Sequence, residues 1–296
     1  MKSETKKGLL LGLSAAIFWG ISGPLGQFIF QQRGINLEWL ITMRLLCSGV
    51  GLLFLANRTK NNIFEIWHNK KDAIQLLVFS IFGIVAVQYT YFAAIKHSNA
   101  ATATVLQYVA PLFIAIYLAL KYRKLPSKIE LLALFLAVVG TFLLVTGGNM
   151  DSLSISGLAF MLGIASAITL AFYTLQPKAL LEKYNAASVV GWGMLIGGIS
   201  FSFIKAPWVI VGVWDLKALL SVTFIIVFAT LIAFFAYLTA VKMIGGQKTS
   251  LIACAEPLVA VILSVIWLNT PFYIYEWIGS ICIVSTVYLL TRNEKK

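Results

Sequence analysis

Glu256 is the residue best placed to do chemistry. Of the chain's 11 acidic side chains it alone falls well inside a long apolar run, whereas Glu130 and Glu276 fall near the ends of theirs. It stands about eight residues into the run 248–268, which at a helical rise of about 1.5 Å per residue puts it roughly 12 Å deep. A charged side chain at the centre of a bilayer costs about 2.5–3.5 kcal/mol on insertion scales, so such a residue faces a cavity or a partner. A carboxyl group held away from water can take up and release a proton as its surroundings change, or meet a cationic group. The plainer alternative is a protonated side chain hydrogen-bonded to a neighbouring helix. Pro257 follows directly; it removes one backbone hydrogen bond and can kink the helix, which suits gating.

Polar and aromatic residues on other apolar runs fall at helical spacing beside this acid. Thr104, Gln107, Tyr108 and Pro111 share one face, as do Gln88, Tyr91 and Phe92, and Thr249, Ala253, Glu256 and Ala260 make a third. Three such stripes converging would wall an aqueous pocket; singly, each residue could equally bond between helices. Trp19 and Tyr173 lie deep in their runs and Tyr237 partway along its own. Membrane aromatics gather at the interfaces, so deep ones are candidates to stack on a solute or to attract an organic cation, with helix packing as the alternative. The predicted binding set is therefore Trp19, Gln88, Tyr91, Gln107, Tyr108, Tyr173, Tyr237 and Glu256, with Glu256, Pro111 and Pro257 in coupling or gating. Trp67, Trp208, Trp214 and Trp277 sit near run ends as interfacial anchors. Arg44 could bind a carboxylate or pair with Glu38, but its place near a run end favours snorkelling to the interface. Lys96 and Lys242 end equivalent runs, where a structural or gating role is open, and Gly191, Gly193, Gly197 and Gly198 suit close packing more than hinging.

The elements that must position these residues follow from composition. The chain has 296 residues, 60% hydrophobic and only 11% charged, with a mean hydropathy of +0.90; soluble domains carry about 45–50% apolar and about 25% charged residues. Its apolar residues form blocks of about 20, the length that spans a bilayer core as a helix. Ten spans are expected, over 8–30, 37–56, 73–95, 99–120, 129–147, 154–175, 187–204, 217–241, 248–268 and 273–291. The first apolar run, after Lys2, Lys6 and Lys7, continues without a small-x-small cleavage site and is read as a retained span. With the N-terminus inside, cytoplasmic segments hold 18 of the 23 Lys and Arg residues, leaving Arg33, Arg44, Lys96, Lys205 and Lys217. Both termini are thus expected in the cytoplasm. The net charge of +12 is spread over these short loops, which argues against a nucleic-acid partner. Cys47, Cys254 and Cys282 all lie in apolar runs and read as buried, unreactive thiols.

A shift of 146 residues superposes Tyr91 on Tyr237, Ala94 on Ala240, Lys96 on Lys242, Pro111 on Pro257, Leu112 on Leu258 and Glu130 on Glu276 without a gap. Spans three to five thus recur as eight to ten. Five is odd, so the second copy enters the membrane in the opposite direction. The expected fold is all-α and integral to the membrane: ten transmembrane helices in two inverted five-helix repeats, 1–147 and 148–296, around a central cavity, an architecture common among secondary transporters.

The chain resembles the EamA family of the drug/metabolite transporter superfamily over essentially its whole length. The resemblance rests on Ala15-Ala16-Ile17-Phe18-Trp19-Gly20, Met43-Arg44-Leu45, Tyr91-Phe92-Ala93-Ala94-Ile95-Lys96 through Ala110-Pro111-Leu112, and Ala255-Glu256-Pro257-Leu258. One departure stands out: relatives often carry an acid at the end of the fourth and ninth spans, where this chain has Arg123 and Asn269. A salt-bridge or gating role for those acids does not carry over. The resemblance implies a basket-like bundle that moves small metabolites on a proton or substrate gradient. The leading expectation is a secondary transporter of the cell (inner) membrane exporting amino acids or related metabolites by alternating access. A carrier of choline-like or drug-like organic cations is the alternative. An enzyme is not expected: His68 and His97 are far apart, no HExxH or pair of deep acids occurs, and no GxxxxGK[ST] stretch supports ATP binding. No filter-like segment supports a channel. No metal and no cofactor is expected, and the partners are a small-molecule substrate and membrane lipid, with the chain as a monomer or homodimer.

Overall fold

A computed structural model describes residues 2–58, 62–123, 128–146, 155–245, 249, 252–253 and 255–293. Apolar runs with no water to satisfy their backbone must bond within themselves, and the described residues are mostly helical, with no strand among them. The elements are α1 (Lys2–Gln31), α2 (Leu37–Arg58), α3 (Lys70–Val78, the π-helical turn Phe79–Val85 and Ala86–His97) and α4 (Ala100–Gln107 and Ala110–Tyr122, parted by a turn at Tyr108 and Val109). They continue as α5 (Lys128–Thr146), α6 (Gly157–Leu175), α7 (Ala186–Ser202), α8 (Leu216–Ile226, a second π-helical turn Val227–Ile232 and Ala233–Ile244), α9 (Ala255–Leu268) and α10 (Ile274–Asn293). A six-residue helix, Lys178–Lys183, follows α6.

Side-chain caps fix several of the starts: Asn69, Asn99, Ser156, Asn185 and Asp215 each accept a hydrogen bond from a first-turn backbone N–H. Among the described residues six helices are long and apolar enough to cross a membrane: α1, α2, α3, α4, α6 with its continuation to Lys183, and α8. Shorter apolar helices occupy Ala186–Ser202, Ala255–Leu268 and Ile274–Ser285.

Packing follows a regular scheme. α2 lies against α7 and α5 against α10; α1 packs on α8 and α9, as α6 packs on α3 and α4. The α2–α7 seam depends on small residues, since a Cβ added at Gly49 would come within 2.6 Å of the Leu195 backbone nitrogen, and one at Gly198 within 2.8 Å of that of Leu46. Packing rather than hinging is therefore what Gly198 serves. Two ion pairs tie opposite ends of the bundle. Arg33, just past α1, holds Asp215 at the head of α8 at 2.9 Å, and Lys183 holds Asp72 in the first turn of α3 at 3.0 Å. The Tyr184 hydroxyl donates to Asp72 at 2.8 Å, and Lys242 reaches the Tyr184 carbonyl at 3.3 Å.

Three expectations are corrected. Pro257 does not kink a continuous helix; it sits in the first turn of α9, where a missing N–H costs nothing, and Pro111 stands likewise at the restart of α4. Cys47 is exposed, not buried, because it shares the outward apolar face of α2 with Val50 and Phe54. Cys282 is half-buried, while Cys254 lies outside the described residues. Arg44 does not snorkel: it is 2% exposed and makes no pair with Glu38.

Candidate functional site

At the centre of the bundle a cavity of about 40 Å³ is enclosed by α1, α2, α3, α4, α6, α8 and α9. That is room for a few waters, at roughly 10–15 Å³ each, and too little for an organic solute. Trp19, Gln88, Tyr91, Gln107, Tyr173 and Glu256 all line it, so six of the eight predicted binding residues meet in one place. The other two stand directly behind them. Tyr108 donates to Glu256 Oε2 at 2.8 Å, and Tyr237 stacks on Tyr173 with ring centroids 6.0 Å apart while touching Trp19 at 5.0 Å. Pro257, buried, follows Glu256 on α9. The side chain of Pro111 lies outside the described residues.

Glu256 is 3% exposed and occupies the first turn of α9, where unpaired backbone N–H groups favour negative charge. The Tyr108 hydroxyl that reaches its carboxylate also lies against the Ala253 carbonyl, at the turn before α9. One hydroxyl proton thus faces two acceptors. Around them, Tyr91 and Thr104 share a hydrogen bond at 2.8 Å, and Gln107 Nε2 donates to Ser166 at 2.6 Å.

Sequence reasoning left Arg44 out of the site, and the structure places it in the cavity wall with Ser22, Val87, Phe92, Leu170 and Phe234. A π-helical turn widens the helix and frees carbonyls that an α-helix would use. The turn Val227–Ile232 of α8 spends its surroundings in this way: Trp19 Nε1 donates to the Ala229 carbonyl at 2.9 Å, Ser48 to that of Ile226 at 3.0 Å, and Thr230 to that of Ile225 at 2.6 Å. With its proton committed, Thr230 Oγ1 accepts from Arg44 Nε at 2.8 Å. The guanidinium lies 4.6 Å from the Phe92 ring centroid, a cation–π contact. Arg44 and Glu256 are the two charged residues of the cavity wall, and neither has an ion-pair partner among the described residues.

A second, larger cavity of about 1050 Å³ opens beyond this one, at the end of the bundle that carries Asp72 and Lys183. Phe113, Tyr117, Lys121, Gln176, Lys178 and Lys242 line it. Thr174 belongs to its wall and is hydrogen-bonded to the Tyr237 hydroxyl at 3.1 Å. Trp19, Tyr173 and Tyr237 therefore form an aromatic floor between the open cavity and the closed one.

A family model described as the EamA-like transporter family matches residues 6–146 and again 157–292. An inner membrane transporter of Salmonella typhimurium named YicL is 39% identical over 293 residues, covering 99% of this chain and 98% of that one. The Bacillus subtilis transporter YyaM is 23% identical over 292 residues, 94% of this chain and 91% of its own. Both names carry the word uncharacterized and no substrate. A solved crystal structure aligns with a TM-score of 0.69 at 16% identity, over 98% of each chain, a likeness of fold alone.

Proposed function

The chain belongs to the EamA-like transporter family, part of the drug/metabolite transporter superfamily, and on that premise we propose that it is a secondary transporter of small metabolites, foremost an exporter of amino acids. It works by alternating access in the inner membrane, with ten spans in two inverted repeats, 1–147 and 148–296, and both termini cytoplasmic. The double family match and the packing scheme, in which α6 repeats toward α3 and α4 what α1 does toward α8 and α9, support the repeat. On this reading the open cavity is the cytoplasmic vestibule and the closed one the midplane site.

The observation that carries the proposal is the shared proton of Tyr108. With Glu256 ionised, the hydroxyl donates to the carboxylate. With Glu256 protonated, the carboxylic acid donates to Tyr108, which is then free to donate to the Ala253 carbonyl at the break before α9. Proton binding in the cavity is thereby linked to a backbone turn at its edge, which is what coupling a gradient to gating requires. The organic-cation reading draws on the aromatics and Glu256, but a lone cation would also meet the guanidinium of Arg44 in the same small space.

Counterflow of radiolabelled amino acids in proteoliposomes tests this at several pH values. The wild type is expected to exchange at least one amino acid with a rate that depends on pH. An absence of exchange for all of them, with exchange of quaternary amines instead, would transfer the assignment to the cation reading.

A further inference from the structure

We propose that Arg44 is the carboxylate-recognising residue of the central cavity, so that the transported class is small organic acids and zwitterions bearing a free carboxylate. This rests on reading that cavity as the transport site. Three observations carry it. Arg44 is buried, and its Nη1 has no hydrogen-bond partner among the described residues; a buried charged donor left unpaired is costly and calls for an acceptor. Its other contacts fix rather than neutralise it: Thr230 takes Nε and Phe92 lies under the plane, so the charge is held in place with an Nη edge unspent. Two further wall residues are also unspent. Both side-chain polar atoms of Gln88 and the hydroxyl of Tyr173 are buried without a hydrogen-bond partner among the described residues.

A guanidinium offers parallel N–H donors that match the two oxygens of a carboxylate. Glu256, across the same cavity on α9, is placed to meet an ammonium group. An α-amino acid would satisfy both ends, with Gln88 and Tyr173 available to its remaining polar atoms. In this state the cavity is too small to hold one, so binding requires the surrounding helices to part.

The test is a thermal-shift titration of the purified full chain in detergent. The probes are the 20 common L-amino acids, their methyl esters, their decarboxylated amines and their deaminated acids. For any amino acid that binds the wild type, the ester and the amine are expected to bind at least about tenfold more weakly. Arg44→Gln should lose that discrimination and Arg44→Lys keep part of it, while Glu256→Gln retains it and loses discrimination against the deaminated acid. Esters or amines binding the wild type as tightly as the free acids would overturn the proposal without any variant, should Arg44→Gln fail to fold. Binding of deaminated acids but of no amino acid would sink the amino-acid reading and leave Arg44 as the anion site. Binding of amines alone, or of none of the probes, would refute both.

Discussion

Arg123 and Asn269, 146 positions apart in the chain, end α4 and α9 in the same left-handed backbone conformation, with φ of 52° and 50°. Each closes a helical segment that begins beside a proline, at Pro111 and Pro257. The two π-helical turns, Phe79–Val85 and Val227–Ile232, lie almost the same distance apart. Left-handed φ costs an ordinary L-residue about 1–2 kcal/mol and glycine almost nothing, with asparagine between. Arg123→Gly is therefore expected to raise stability by about 1 kcal/mol and Asn269→Gly by less. Unfolding midpoints of the two variants in detergent give the order directly.

The seam between α2 and α7 makes the opposite demand. Alanine at Gly49 would press its Cβ against the Leu195 backbone, which cannot swing aside as a side-chain tip can. Overpacking of this kind costs about 1–3 kcal/mol, so Gly49→Ala should lower the midpoint clearly. Gly157 opens α6 with nothing among the described residues within 4 Å of a new Cβ. Gly157→Ala should be neutral or stabilising by about 0.5 kcal/mol, through the unfolded chain. Equal effects at the two glycines would contradict the close approach.

How much of the site could be read beforehand differs from residue to residue. Glu256, Gln88 and Gln107 were legible because a polar group in an apolar run stands out, and helical spacing then aligns its neighbours. Arg44 was not. Seven residues into its helix it looked able to reach the interface, and what holds it inward is Thr230, 186 positions away on a π-helical turn. Such a turn leaves the apolar period of a buried helix almost unmarked, so no local pattern announces it. Pro257 was misread for a related reason: proline marks a discontinuity, but the residue alone does not tell a bend from a restart, and here it stands in the first turn of α9.

Tyr108 and Glu256 should fail differently when altered. Glu256→Gln removes the titrating group, and transport is expected to fall about tenfold or more and to lose its dependence on pH. Tyr108→Phe leaves the carboxyl group but removes the hydroxyl that joins it to Ala253. Substrate binding should then persist while the exchange rate falls by a similar factor. Binding by thermal shift, set beside counterflow rates for both variants, separates the two roles; a Tyr108→Phe protein exchanging at the wild-type rate would remove the hydroxyl from the mechanism.

The ion pair at the end of the bundle away from the open cavity is expected to act as a latch. It joins elements from different halves of the chain, Arg33 beyond α1 and Asp215 at α8, whereas Lys183 and Asp72 stay paired beside the open cavity. Asp215 accepts from the backbone N–H of Ala218, and this bond, with the Arg33 guanidinium beside it, holds its carboxyl below the usual range. A depressed folded-state pKa stabilises the latch above the ordinary value of about 3.9 and is lost as pH falls through the lowered one. Asp215→Asn keeps an acceptor for Ala218 but loses the charge, so it should flatten the fall in thermal midpoint between about pH 5 and pH 3. The same substitution should favour opening to the outside, whereas Asp72→Asn, at the end that is open with its pair formed, should leave the balance unchanged. A cysteine at Ser22, in the cavity wall, with the three native cysteines replaced by serine, reports both through a membrane-impermeant thiol reagent added to either side. Faster labelling from the outside in Asp215→Asn alone is the expected outcome; labelling unchanged in both variants would mean that the Arg33–Asp215 pair only braces the fold.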